Sequence, residues 1–191
     1  EIGSEIASVL GLSAIKNNDK VGLVLFSEDI VKYIPPKKGK SHILRVIREL
    51  LYVKSDGKGT SISKALDFVM KVSKRKSVVF LLSDFIDEDY WDSLKITNRK
   101  HDFIGIKISD PYEIDLPNIG MFKVEDSETG DTFWVDTSNH SDLKQMNDTN
   151  RKKNDDFIYK SKKLGIDIIS ISTSDNYIDP LMKFFKKRGE K

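Results

Sequence analysis

Four short apolar runs, separated by segments of helical pattern, constrain the fold of this chain more than any other feature. They cover residues 21–26, 77–82, 102–108 and 165–172. Each is typical of a strand that is covered on both faces. Strands that alternate with helices predict an α/β fold in three layers, with a mainly parallel sheet and helices on both faces.

Two further patterns add antiparallel structure. Residues 30–34 follow the first run after three residues and end at Pro35-Pro36, which predicts an antiparallel edge strand. Residues 121–126 and 131–136 flank an acidic turn and predict an inserted β-hairpin. Helical spacing predicts helices over residues 2–15, 41–53, 61–72, 87–99, 138–164 and 177–187.

Composition limits the classes of function. With 191 residues we expect one domain, residues 1–191. The 32 Lys and Arg nearly balance the 30 Asp and Glu, which argues against a nucleic-acid partner. The absence of cysteine suits a cytoplasmic location, and no apolar run approaches the roughly eighteen residues of a transmembrane segment. Because the sequence starts at Glu1 inside an amphipathic pattern, we expect the gene product to begin upstream.

Two apparent motifs carry little chemistry. Gly39-Lys40-Ser41 resembles half of a phosphate-binding loop, but Pro35-Pro36 would remove backbone donors from that cradle, and Ser41 as a helix N-cap explains the same residues. The three histidines, His42, His101 and His140, lack metal-ligand spacing. Neither pattern therefore predicts a nucleotide or zinc site.

Oxygen-bearing side chains at strand ends are the better candidates. Asp84 follows the most apolar run, and Thr60 begins a helix after Gly59. Ligands of open parallel sheets bind beyond the carboxyl ends of the strands, and a hard cation such as Mg²⁺ takes hydroxyl and carboxylate oxygens. Thr60 and Asp84 could therefore form part of a metal site. In the alternative reading, Thr60 caps its own helix, Asp87 caps the next one, and Asp84 solvates a strand end.

Two more hypotheses concern the residues after Asp84. Tyr90 and Trp91 could form a partner-binding patch, although we expect at least one ring to pack on the sheet. Asp84, Asp87 and Asp89 could serve a Mg²⁺-dependent phosphohydrolase, although the sequence shows no evident nucleophile or base.

Longer segments resemble a known family, the von Willebrand factor A-like domains grouped as domain of unknown function fifty-eight. The resemblance is carried by NDKVGLVLFSE, YIPPKKGK, GTSISKAL and VVFLLSDF in the first half of the chain, and by ISDPYEIDLPNIG, VEDSETGD and GIDIISISTSDNYIDPLMKFFKKR in the second. The block from SDP to LPNIG, followed by the DSETG turn, is its most specific part.

The resemblance implies a metal-ion-dependent adhesion site. Its main element, an Asp-x-Ser-x-Ser loop after a first strand, would precede Glu1, while Thr60 and Asp84 match the second and third elements, Thr60 as a direct ligand and Asp84 often through water. Without that loop we expect no cofactor in this fragment, and Mg²⁺ or Mn²⁺ only in the full-length protein. The missing strand would lie between residues 21–26 and 77–82, so we expect this chain or a neighbouring copy to fill the gap, which makes self-association an expectation.

The resemblance also implies a function. It predicts a non-enzymatic protein-interaction domain of bacterial origin that helps a MoxR-type AAA+ ATPase to assemble or activate other proteins. Coordination of a partner carboxylate by the bound cation would join recognition to metal occupancy. The phosphohydrolase and a metal-independent structural scaffold that binds through the hairpin or through Tyr90 and Trp91 remain the alternatives.

Overall fold

The computed structural model describes residues 2–52, 59–125 and 132–189. The chain divides into two compact units. The first comprises Glu1–Ser77 and Phe85–Asp102, and the second comprises Val78–Asp84 and Phe103–Lys191. Each unit is described by itself, and the expected single domain stays a prediction.

The described residues of the first unit form one antiparallel strand pair and four helices. Strands β1 (Val21–Phe26) and β2 (Ile30–Lys37) pair antiparallel, as predicted. The helices are α1 (Ile2–Lys16), α2 (Lys40–Tyr52), α3 (Ile62–Val72) and α4 (Trp91–Lys100). Its core is made of aliphatic side chains from all four helices, because each presents one apolar stripe inward: Ile6, Ile43, Ile62, Leu66 and Leu94 are at most 2% exposed.

The two prolines lie inside β2 rather than after it. Pro36 packs so closely against Gly22 of β1 that a Cβ on Gly22 would lie 3.0 Å from the Pro36 ring and from the Ile34 carbonyl oxygen. A larger residue at position 22 would therefore displace β2. The register also shifts between Val21 and Leu23, which marks a bulge beside this contact.

The second unit contains the parallel sheet. Strands β3 (Val78–Ser83), β4 (Asp102–Ser109) and β7 (Asp167–Ser172) form a parallel three-stranded sheet in the order β3-β4-β7. Between β4 and β7 lie α5 (Pro111–Ile114), the hairpin strands β5 (Met121–Glu125) and β6 (Thr132–Asp136), and α6 (His140–Lys163). Helix α7 (Ile178–Gly189) follows β7.

The centre of the parallel sheet is the core of the second unit. Ile106 and Ile169 are paired across β4 and β7, and they are 0% and 4% exposed. Phe103 and Ile104 at the start of β4 are equally inaccessible. Continuous burial along β4 confirms the interpretation of this run as a strand covered on both faces.

Several predicted boundaries change. Helix α4 begins at Trp91 rather than at Asp87. Helix α2 begins at Lys40, so Ser41 lies inside its first turn instead of capping it. The segment after β4 contains a short helix, α5. The antiparallel hairpin is confirmed, and its predicted acidic tip falls in residues 126–131, outside the described residues.

The predicted single sheet is also different. Among the described residues, β1 pairs with β2 alone, and β3 is the last strand of its own sheet. The mixed α/β class is confirmed, and the von Willebrand factor A-like arrangement stays a prediction. So do a strand between β1 and β3, and self-association in its absence.

Candidate functional site

The loop that carries Thr60 is fixed at the carboxyl end of β1. Gly59 has a φ of +86°, which favours glycine, and it turns the chain into the loop. The Ser61 backbone N–H donates to the Ser27 carbonyl oxygen over 2.9 Å, one residue beyond β1. Thr60, which is half-buried, therefore lies near the carboxyl end of β1, and its predicted position at the same sheet edge as Asp84 stays a prediction.

Ser61, not Thr60, is the N-cap of α3. The Ser61 hydroxyl oxygen accepts from the Lys64 backbone N–H at 3.4 Å, and the backbone of Ser61 is extended, as caps require. The alternative that Thr60 caps this helix is therefore wrong.

The Asp87 side chain connects the segment before α4 to the start of α3, and it does not cap α4. We call this pair of hydrogen bonds the Asp87 brace. One carboxylate oxygen accepts from the Ile62 backbone N–H at 2.7 Å, at the first residue of α3, and the other accepts from the Glu88 N–H at 2.7 Å. The predicted cap of the following helix is therefore wrong. A carboxylate at the N-terminus of α3 also has the favourable sign for the helix dipole.

The backbone around this brace adopts an uncommon conformation. Phe85 has a φ of +61° although it is bulky and only 7% exposed, and Asp89 has a φ of +58°. Left-handed backbone at a bulky residue is an outlier that the surrounding contacts must hold in place. The Tyr90 ring, 6.0 Å from that of Phe85, and the Tyr90 hydroxyl, which donates to the Phe85 carbonyl at 3.4 Å, supply such contacts.

In the second unit, Asp84 follows the carboxyl end of β3. It is exposed, and the Ser83 hydroxyl donates to one of its carboxylate oxygens at 3.3 Å. The ends of β4 and β7 are joined beside it in the same sheet, because the Thr173 N–H donates to the Ser109 carbonyl at 3.0 Å and the Thr173 hydroxyl donates to the Asp110 carboxylate at 3.4 Å. Carboxylates and hydroxyls thus gather at the carboxyl edge of the parallel sheet, as expected.

Two charged groups that the sequence pattern did not reveal lie at this edge, the half-buried Lys107 and the exposed Glu113. Burial raises the pKa of Glu113, a hydrogen bond from the Asp110 backbone opposes that shift, and the charges of Asp84 and Asp110 add to it. Burial lowers the pKa of Lys107, against the attraction of Glu113 and Asp84. The signal for Lys107 was its position as the one cation within the apolar run of β4.

Lys107 is held from the side of α6. Its Nζ donates to the Asn154 side-chain oxygen over 2.7 Å and lies 4.9 Å from the centre of the Phe157 ring. A cation that is oriented in this way reduces the repulsion between Asp84 and Glu113. The carboxyl edge of the parallel sheet can therefore hold the carboxylates of Asp84 and Glu113 near each other.

The predicted site residues are distributed as follows. Thr60 belongs to the first unit and Asp84 to the second, and their joint role as metal ligands stays a prediction. Their hydroxyl and carboxylate oxygens are the donor types that Mg²⁺ and Mn²⁺ take. Within residues 2–52, 59–125 and 132–189, no group of three or more His, Cys, Asp or Glu is arranged to hold a metal ion.

The aromatic pair is only half accessible. Tyr90 is 3% exposed and stacks on Trp91, with ring centroids 5.0 Å apart. One ring thus packs inward, as expected, and Trp91 alone of the two offers surface to a partner. The partner-binding role stays a prediction.

Comparison with known proteins places the chain in a family. The sequence pattern of the family described as "Protein of unknown function DUF58" matches residues 1–156, and the chain belongs to that family. An uncharacterised protein of Mycobacterium avium is 25% identical over 130 residues, which are 66% of this chain and 75% of that protein. An uncharacterised protein of Mycobacterium tuberculosis is 20% identical over 176 residues, and the match spans only 54% of its length.

One solved structure has a similar fold. It is the conserved hypothetical protein BatB from Bacteroides thetaiotaomicron, which is 13% identical, with a TM-score of 0.54 over 98% of this chain and 89% of that one. At this identity the likeness concerns the fold alone. None of the helices in the described part of the chain is long and apolar enough to cross a membrane.

Proposed function

We propose that this chain is a non-enzymatic protein-interaction domain which, in the intact protein, holds a divalent cation at a metal-ion-dependent adhesion-type site. One observation carries the proposal. Thr60 is fixed at the carboxyl end of β1 by the Ser61–Ser27 hydrogen bond, while Ser61 caps α3 and Asp87 braces its first residue. A threonine held at a strand end without a capping role suits a ligand.

Asp84 supports the proposal from the second unit. It follows the carboxyl end of β3 and is exposed, and the positive charge of Lys107 moderates the negative charge around it. A carboxylate in that position can accept a hydrogen bond from a metal-bound water or bind the ion itself. We assign Thr60 the direct contact and Asp84 the contact through water, as the family resemblance implies.

The bound Mg²⁺ or Mn²⁺ ion would offer an open coordination position to a carboxylate oxygen of a partner protein. Thr60 and Asp84 would orient that position, and the remaining ligands would come from an Asp-x-Ser-x-Ser loop upstream of Glu1. In this proposal the domain is cytoplasmic and acts beside a MoxR-type AAA+ ATPase in the assembly or activation of other proteins. The identity of the partner is inferred from the family resemblance. The domain would bind its partner without catalysing a reaction.

Calorimetric titration of the full-length protein with Mn²⁺ tests the site. We expect Thr60→Ala and Asp84→Ala each to weaken binding at least about tenfold, because each removes an oxygen from the ion's surroundings. Thr149→Ala and Asp148→Ala, exposed positions on α6, are matched controls and should bind as the wild type does. Equal affinity for all five proteins would overturn the proposal.

The two alternatives make different predictions. A phosphohydrolase that used Asp84, Asp87 and Asp89 would need Asp87 to act while both of its carboxylate oxygens accept backbone hydrogen bonds. Phosphatase turnover that Asp84→Asn abolishes would favour that enzyme. Partner binding that persists in chelator would instead favour the metal-independent scaffold.

A further inference from the structure

A groove runs along the outer side of α3 in the first unit. Its apolar lining comes from Ile30 at the start of β2, from Phe68 and Met70 of α3, and from Ile96 of α4, and its volume is about 570 Å³. This α3–α4 groove lies entirely within the first unit. Its volume falls within the range of about 300–1,000 Å³ that is common for ligand sites.

Contacts beneath the groove fix both of its walls. The Phe68 ring packs edge-on against Tyr33 of β2, with centroids 5.2 Å apart. On α4, Leu94 and Thr97 are fully buried, so Ile96 between them turns outward and is 52% exposed. The exposure of Ile96 therefore follows from how α4 is anchored.

Polar contacts define the two ends of the groove. At one end the Lys64 Nζ lies 2.7 Å from an Asp29 carboxylate oxygen, and at the other the Lys100 Nζ donates to the Met70 carbonyl over 3.0 Å. The α3 wall between Lys64 and Lys71 is about 10 Å long at the usual helical rise. Such a length accommodates about two turns of another helix.

The charge around the groove is positive. At the rim, Asp67 offsets one lysine, and Asp29 neutralises Lys64. Asp92 opens α4, but that helix then carries Lys95 and Arg99 on either side of Ile96. The loop after α3 adds three exposed cations, Lys74, Arg75 and Lys76.

We propose that the α3–α4 groove binds an acidic amphipathic helix of a partner protein. The apolar lining suits the apolar side of a helix, and the surrounding cations suit acidic residues on its flanks. A nucleic acid would leave the apolar lining unfilled. This contact goes beyond the proposed metal site and needs no metal ion.

Fluorescence anisotropy with a designed probe tests the groove. The probe is a fluorescein-labelled helical peptide of leucine and glutamate, with leucines at positions i, i+3, i+4 and i+7, titrated with the full-length protein in EDTA. We expect Ile96→Asp and Lys71→Glu each to weaken binding about tenfold. Ile119→Asp, an equally exposed isoleucine of the second unit, is the matched control and should bind like the wild type.

A peptide of the same pattern with lysine in place of glutamate provides the charge control and should bind at least about tenfold more weakly. Equal affinity of Ile96→Asp and wild type, or tighter binding of the lysine peptide, would overturn the proposal. Absence of peptide binding would also overturn the proposal. This holds whether or not the protein binds anionic vesicles or duplex DNA in a manner that depends on Ile96. Because the titration is done in EDTA, its outcome does not depend on the metal site.

Discussion

The two compact units place their candidate residues by different means. In the first unit, Thr60 owes its position to the backbone hydrogen bond from Ser61 to Ser27 and to the bond that the Ile62 N–H donates to the Asp87 carboxylate. In the second, Asp84 follows the end of a parallel strand, and the charges of Lys107 and Glu113 modify its surroundings. Hydrogen-bond geometry positions the candidate residue of the first unit, whereas charges set the surroundings of the candidate residue of the second. The two units should therefore respond differently to mutation and to pH.

The largest effect is expected in the core of the parallel sheet. Ile106→Ala removes a side chain that is fully buried at the centre of β4, and we expect a loss of about 3 kcal/mol in the free energy of unfolding from the cavity that remains. Urea denaturation measures the change. Ile119→Ala, at a 61% exposed site, should cost less than about 0.5 kcal/mol. A similar cost at both positions would contradict the assignment of Ile106 to the core.

Loss of the Asp87 brace should rank second. Asp87→Ala leaves the Ile62 and Glu88 N–H groups without their acceptor, and we expect a loss of about 2 kcal/mol. Asp87→Asn keeps an acceptor oxygen and should lose less, while Asp148→Ala on α6 should be neutral. Urea denaturation of the three variants gives the comparison. If Asp87→Ala proved neutral, the contrast between the units would be lost.

A pH-dependent effect of about 1 kcal/mol is expected at His101. The side chain is 2% exposed, and its ring nitrogens have no hydrogen-bond partner among the described residues. Burial lowers its pKa, helped by Lys100. The folded state therefore favours the neutral ring, and its contribution to stability is present above the unfolded pKa and is lost as the pH falls through the lower folded pKa.

His101→Leu should remove this pH dependence and stabilise the protein by about 1 kcal/mol at pH 5, because no buried donor or acceptor then lacks a partner. Thermal unfolding of both proteins between pH 5 and pH 8 measures it. An exposed control, His140→Leu, should keep the wild-type pH dependence. A steeper pH dependence in His101→Leu than in wild type would refute the account.

The smallest effect is expected at Glu113. Its folded pKa is raised, so its contribution to stability is complete below the unfolded pKa and is lost as the pH rises through the folded value. Glu113→Gln should therefore unfold at a slightly higher temperature than wild type at pH 7, and this advantage should vanish near pH 4. Calorimetry at the two pH values measures the difference. An advantage at pH 4 alone would mean that the charges of this edge are arranged differently.

Local patterns predicted the elements better than they predicted the contacts that end them. The apolar runs of β1, β3 and β4 were found within one or two residues, because each strand is a short continuous apolar run. Of the three, only β4 has consecutive buried residues, from Phe103 to Ile106, whereas no residue of β1 is fully buried. The start of α4 was misplaced, since acidic residues at 87–89 look like a first helical turn. The carboxylate of Asp87 instead binds Ile62, a partner 25 positions away that no local pattern reveals.

In the candidate site too, sequence patterns predicted the positions of residues better than their contacts. Position in the sequence predicted that Thr60 and Asp84 would lie together at the carboxyl edge of one sheet. Asp84 does follow β3 directly, and the shared edge stays a prediction. The role of Lys107 depends on Asn154, which is 47 residues distant, and that of Ser61 as cap depended on a one-residue choice between two hydroxyl residues. Charges and hydrogen bonds from remote segments are the part that one sequence cannot supply.

The prolines of β2 determine on which side the strand pair of the first unit can be extended by a further strand. Pro35 and Pro36 carry no N–H group, and Pro36 is pressed onto Gly22, so the flank of β2 cannot template another chain along its full length. The sequence of β1, by contrast, contains no proline. Any assembly that extends this ribbon must therefore recruit its new strand on the β1 side.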